Sequence, residues 1–161
     1  MRRLSLLILL LVTGCVDKER APVLGMWTGG FYTDEAEVLR GYLQLYQTGD
    51  KFKMRLGTKD QEMTFLGTWS LAKNRVDLRV GDIDFENPTE ETQKALGLKM
   101  FTPDEIRAAF GKPITLDLAT DGKALSGLTI TIGKIQGKHR FKKGEVTANT
   151  QKALDGMKGN R

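Results

Sequence analysis

Lys51-Phe52-Lys53-Met54-Arg55-Leu56 decides the fold class. Three apolar side chains alternate with three cations, the two-residue period of a strand with one face in a core and the other in water. The pattern recurs on both sides. Upstream, Leu39, Leu43 and Leu45 alternate with Arg40, Tyr42, Gln44 and Tyr46, and Val23 to Thr33 carries Trp27 and Phe31 on one face. Downstream, Met63, Phe65, Trp69 and Leu71 share a face, and Val76, Leu78 and Val80 alternate with Arg75, Asp77 and Arg79. Thr48-Gly49-Asp50 and Ala72-Lys73-Asn74 supply the turns between them. At Gly81 the parity reverses: Ile83 and Phe85 take the apolar role, and Asp82, Asp84 and Glu86 the register that was buried. A glycine bulge or bend is expected there.

Two helix signals interrupt the strands. Asn87-Pro88-Thr89-Glu90, closed by Gly97, and Thr102-Pro103-Asp104-Glu105, closed by Gly111, each place a cap, an early proline and an acid in the first turn. Strands resume with Ile114, Leu116 and Leu118, and, after an Asp121-Gly122 turn, with Leu128, Ile130 and Ile132 alternating with Thr129 and Thr131. A last strand sets Ile135 and Phe141 on one side and Lys134, Lys138, Arg140 and Lys142 on the other. About eight strands suffice to close a small barrel. The expectation is a mainly β chain: a small antiparallel up-and-down β-barrel of about eight strands, with two short helices inserted before the last three. The barrel domain spans residues 23–146, and 147–161 form a tail with a short helix.

The chain begins differently. Arg2 and Arg3 precede an aliphatic run from Leu4 to Val12, followed by Thr13, Gly14 and the only cysteine, Cys15. The run is far short of the roughly 20 residues that span a bilayer as a helix. Val12-Thr13-Gly14-Cys15 resembles the lipobox of a bacterial lipoprotein signal peptide. The resemblance implies that residues 1–14 are removed, that Cys15 is acylated, and that 15–22 form a charged tether. One acyl chain holds a membrane only marginally, so two or three are implied. Val16, where an inner-membrane retention signal has Asp, points to the outer membrane, with the domain facing the periplasm. Losing Arg2 and Arg3 takes the formal charge from +5 to +3. That is too small to argue for nucleic acid, and export removes such a partner. No thiol remains for a disulfide, so the core alone must hold the domain.

Gly25-x-Trp27, opening the first strand, resembles the start of lipocalins and their calycin relatives, in which the Trp closes one end of a barrel beneath a cation from the last strand. Arg140 is the last-strand residue matched to that cation, although alternation turns it outward. Gly67-Thr68-Trp69-Ser70-Leu71, with Asn74 and Val76-Asp77-Leu78, is similar to strands of lipocalin-like lipoprotein domains such as the small N-terminal barrel of NlpE-type proteins. The Cys-x-x-Cys of that barrel is absent, so no metal or redox role is carried over. The resemblance implies an interior ligand site, with Trp27, Phe31, Phe65, Trp69 and His139 as the candidate lining.

Catalytic constellations are missing. After Cys15 the chain has two serines, Ser70 and Ser126, one histidine, and no Gly-x-Ser-x-Gly, His-Glu-x-x-His or phosphate loop. No catalytic residue, cofactor or metal is expected. His139 shares the parity of Phe141 and reads as a hydrogen-bonded imidazole at the core edge. Asp82, Asp84 and Glu86 lack calcium-loop spacing and read as solvated or paired with Lys51, Lys53 and Arg55. Lys138, Arg140, Lys142 and Lys143 form a candidate contact for an anionic surface, and Tyr42 and Tyr46 suit a partner face. Two functions follow as expectations. The first is an anchored, non-enzymatic barrel binding a small apolar ligand or an envelope component. The second is a protein-interaction module, an assembly factor or enzyme inhibitor, acting through loops and the basic face. Replacing Cys15 with Ser is expected to abolish incorporation of labelled palmitate while leaving the far-ultraviolet circular dichroism of the barrel unchanged. Labelling that persists would remove the anchor.

Overall fold

The computed structural model describes residues 18–86 and 101–144. They form a closed antiparallel barrel of eight strands in sequential order. The strands are β1 (Gly25–Tyr32), β2 (Glu37–Leu45), β3 (Lys51–Gly57), β4 (Glu62–Ala72), β5 (Arg75–Glu86), β6 (Ile114–Leu118), β7 (Ala124–Ile132) and β8 (Ile135–Lys143). Pairing of β1 with β8 closes the ring, which removes free sheet edges at the seam. One α-helix, α1 (Pro103–Phe110), and a 3-10 turn, Thr48–Asp50, complete the described elements. The helix expected over 87–97, the terminal helix and Cys15 lie outside the described residues.

Alternation explains the core. Phe52, Met54 and Leu56 point inward with Leu39, Leu43, Leu45, Met63 and Phe65, all 1 % exposed or less. Gly81 acts as expected: Gly67 pairs with Val80 and Leu66 with Asp82, leaving Gly81 without a partner. The extra residue lets Val76 and Leu78 before it, and Ile83 and Phe85 after it, all turn toward the interior.

A second irregularity overturns one expectation. Ser126 pairs with Arg140 and Thr129 with Lys138, so Gly127 and Leu128 together face His139. Gly127 takes the inward place, where a Cβ would lie 3.2 Å from both His139 Cβ and Leu116 Cδ2. Leu128, read from its alternation with Thr129 as a core residue, is pushed outward and is 62 % exposed.

The ring has one weak point. β6 has five residues between a β5 of twelve and a β7 of nine. It pairs with β5 only over Arg75–Leu78 and with β7 only over Leu125–Gly127. Helix α1 packs against β5 and β7 where the strands diverge. Thr102 and Glu105 form the expected capping box, and Ile106 and Phe110, four residues apart on one helical face, are buried. Gln61, 2 % exposed, fastens the segment leading into the helix by accepting from Phe101 N–H (3.0 Å) and donating to Phe101 O (2.9 Å).

Segment 18–24 closes the opposite end. Val23 is fully buried, Trp27 Nε1 donates to Val23 O at 2.8 Å, and Arg20 reaches Asp50 in the β2–β3 turn at 2.6 Å. Phe110→Ala should therefore cost about 3–5 kcal/mol, the range for a buried aromatic whose cavity cannot collapse. The exposed Leu128→Gln should change stability by no more than about 0.5 kcal/mol. Urea unfolding of both variants checks this, and equal losses would place the closure elsewhere.

Candidate functional site

The barrel does bring the expected interior residues together. Trp27, Phe31, Phe65 and His139 are fully buried and Trp69 is 2 % exposed. Other side chains fill the space between them. Phe110 lies with its ring centroid 4.5 Å from Phe65 and 5.6 Å from His139. Phe31 lies 5.5 Å from the imidazole, and Phe141 stacks on it at 5.9 Å. Two cavities among the described residues open on the outer surface. These aromatics are packed against each other and leave little room for a guest.

His139 departs from the hydrogen-bonded imidazole that its parity suggests. Among the described residues, neither ring nitrogen has a partner of good geometry. Burial pushes its pKa down from 6.5 to about 4, and the Gly30 backbone opposes this only in part. A neutral imidazole held by rings on three sides behaves as an aromatic core residue.

The two tryptophans close one end of the barrel, each under a cation. Lys143 Nζ sits 4.5 Å from the centre of the Trp27 ring, and the Arg20 guanidinium 4.7 Å from that of Trp69. Trp69 Nε1 donates to Tyr46 O at 2.9 Å. Lys143 also donates to Pro22 O and Leu24 O, at 2.7 and 2.6 Å. Burial lowers its pKa, and the two carbonyls and the ring face hold its charge in place. Lys143 thus belongs to the end closure and leaves the basic row. The cation over Trp27 is Lys143, not Arg140, and the inward parity of 137, 139, 141 and 143 was the signal for it. Arg20, seven residues ahead of Trp27, carried no such signal.

Lys138, Arg140 and Lys142 point outward on β8, each exposed. Facing them across β1 are Tyr32, Gly30 and Thr28. On the other side of the barrel, an open groove of about 670 Å³ runs over β2, β3 and β4, with Val38, Arg40, Tyr42, Arg55, Lys59 and Glu62 in its lining. Its charges are organised. Arg55 pairs with Glu62 and, at 3.7 Å, with Glu86, the one member of the acidic row so engaged. Arg40 pairs with Glu37 at 2.7 Å, which holds that carboxyl below its usual range. Tyr32 donates to Glu37 at 3.0 Å, and burial, then this bond, raises the phenol pKa. Tyr46 is 40 % exposed, and Tyr42 sits half-buried between Thr28 and Arg55. Sequence reading singled out the tyrosines but missed the groove, because Arg40, Arg55 and Glu62 meet only through register.

Among the described residues, no cluster of three or more His, Cys, Asp or Glu is placed to hold a metal ion. Ser70 and Ser126 lie on the outer face, away from the inward His139. Among the described residues, neither serine is therefore placed beside the imidazole. Neither a protein-family model nor a curated protein matches the chain.

The depressed pKa of His139 has a sign. Between pH 6.5 and about 4 the unfolded chain binds a proton that the barrel excludes, so stability is full above 6.5 and falls as pH drops through this window. The loss approaches about 3 kcal/mol by pH 4. Urea unfolding should show this slope, and His139→Phe should flatten it. A profile unchanged by the substitution would move the proton elsewhere.

Proposed function

We propose that the chain is an envelope lipoprotein, anchored through acyl groups on Cys15 at the outer membrane, whose lipocalin-like barrel works as a protein-interaction module without enzymatic chemistry. The observation that carries this reading is the packed interior: the residues expected to line a ligand site are buried in one another, with Phe110 among them. A filled barrel is a rigid platform, and its specificity then lies on its outer surface. Lys143 over Trp27 supports the lipocalin-like assignment, since that resemblance sets a last-strand cation there.

The β2–β4 groove suits an envelope protein. It combines a half-buried tyrosine with arginines already oriented by carboxylates, the residue types enriched where partners bind tightly. Rigid strands hold these side chains, so little ordering cost falls on binding. The mixed charge selects a partner with both signs.

Two measurements test this. Adding long-chain fatty acid should give no saturable quenching of Trp27 and Trp69 fluorescence; saturable quenching would restore the apolar-ligand carrier. Site-specific crosslinking from Lys59 in intact cells should capture a discrete envelope protein, and Tyr42→Ala should reduce that product at least about tenfold. Capture that is indifferent to Tyr42 would exclude the groove.

A further inference from the structure

Several arginines of the described outer surface are held by acids. Arg40 pairs with Glu37, Arg55 with Glu62 and Glu86, Arg75 with Asp117 and Arg107 with Asp104, whereas Lys51, Lys53 and Arg79 are among the cations without an ion-pair partner among the described residues. Lys138, Arg140 and Lys142 have no ion-pair partner among the described residues, though they stand in line at alternate positions of one strand. Their cross-strand neighbours are uncharged: Tyr32, Gly30 and Thr28 on β1, and Thr129, Ser126 and Ala124 on β7. Three unmatched positive charges on an uncharged strip call for an external anion.

The β7 bulge adds an apolar element. It turns Leu128 out between the positions facing Lys138 and Arg140, where it is the most exposed large hydrophobic residue described. Beside it, a groove of about 340 Å³ between α1 and β7 includes Ala109, Pro113 and Ile130 in its lining, with Lys112 among them. An exposed leucine beside an apolar groove, flanked by unpaired cations, has the composition of a surface that settles into a headgroup layer.

We propose that the outer face of β7 and β8 lies on the anionic leaflet of a lipid bilayer, with Lys138, Arg140 and Lys142 on lipid phosphates and Leu128 inserted at the headgroup boundary. A soluble acidic partner would match the cations but would leave the projecting leucine unused. Lys143, next to Lys142, binds Pro22 O and Leu24 O, so residues 22–24 pass the end of this face, while Arg20 before them reaches Asp50 and Trp69 on the β3–β4 side. In a ring of eight consecutive strands, β3 and β4 are diametrically opposite β7 and β8. The orientation therefore turns the β2–β4 groove away from the membrane. The inference rests on the anchored reading for its setting, but its test does not use the anchor.

Residues 15–161 carrying Cys15→Ser, which lack acyl groups and lose no strand, should co-sediment with phosphatidylcholine vesicles containing about one-quarter phosphatidylglycerol, and not with phosphatidylcholine alone. Added salt should release them. Replacing Lys138, Arg140 and Lys142 with Gln should weaken binding about a hundredfold, near fivefold per charge. Leu128→Gln should weaken it about tenfold. Both sites are exposed, and unchanged circular dichroism confirms that the variants fold. Binding that ignores lipid charge, or survives the triple substitution, overturns the proposal. So does binding indifferent to Leu128→Gln, the behaviour of a face built for a soluble anionic partner. Loss of groove crosslinking would leave these results untouched.

Discussion

The shortness of β6 governs the rest of this barrel. Five residues cannot bridge a twelve-residue and a nine-residue neighbour along their length, and backbone groups at such a gap need cover. Helix α1 fills it side-on, and its Phe110 reaches Phe65 and His139 in the middle of the barrel. A helix used as a wall brings its own side chains into the lumen. With segment 18–24 under one end and the Gln61–Phe101 clamp beside the helix, little interior space is left. The close packing of the described core follows from that wall.

Once the inside is full, what distinguishes one side of the molecule from another is electrostatic. On β2, β3 and β4 the arginines are held by carboxylates, which fixes their geometry and moderates their field. On β8 the cations are unmatched, and on β7 a leucine stands beside them. At the tryptophan end the cations are consumed internally, over aromatic rings and on backbone carbonyls. The cations thus stand in at least three different settings, and a count of lysines and arginines conceals that difference.

The barrel was legible from Phe52, Met54 and Leu56 outward, because a half-buried strand writes its orientation every second residue. The reversal at Gly81 was legible too, since the apolar run changes parity at a residue that tolerates a bulge. The bulge at Gly127 and Leu128 left no such mark. Its cause is tertiary: the space beside His139 and Leu116 is tight for a Cβ, and Leu128 is displaced although its alternation with Thr129 suggests burial. His139 shows a related limit. Its inward parity was correct, but whether an inward imidazole finds a hydrogen bond depends on neighbours from α1, β1 and β8 that no local pattern names. The interior aromatics were correctly gathered, while the role expected of them, lining a ligand site, depended on the unforeseen reach of Phe110.

The segment before β1 gives the molecule a mechanical property. Arg20 is joined to Asp50 and lies over Trp69, and Val23 is sunk in the core. A pull on the chain from its start therefore meets these side-chain attachments before it meets the first strand. Such tension would load the Arg20–Asp50 link first and then Val23, before any hydrogen bond of β1 was strained. A pull from the chain's start would uncover Trp69 while the barrel wall stayed intact.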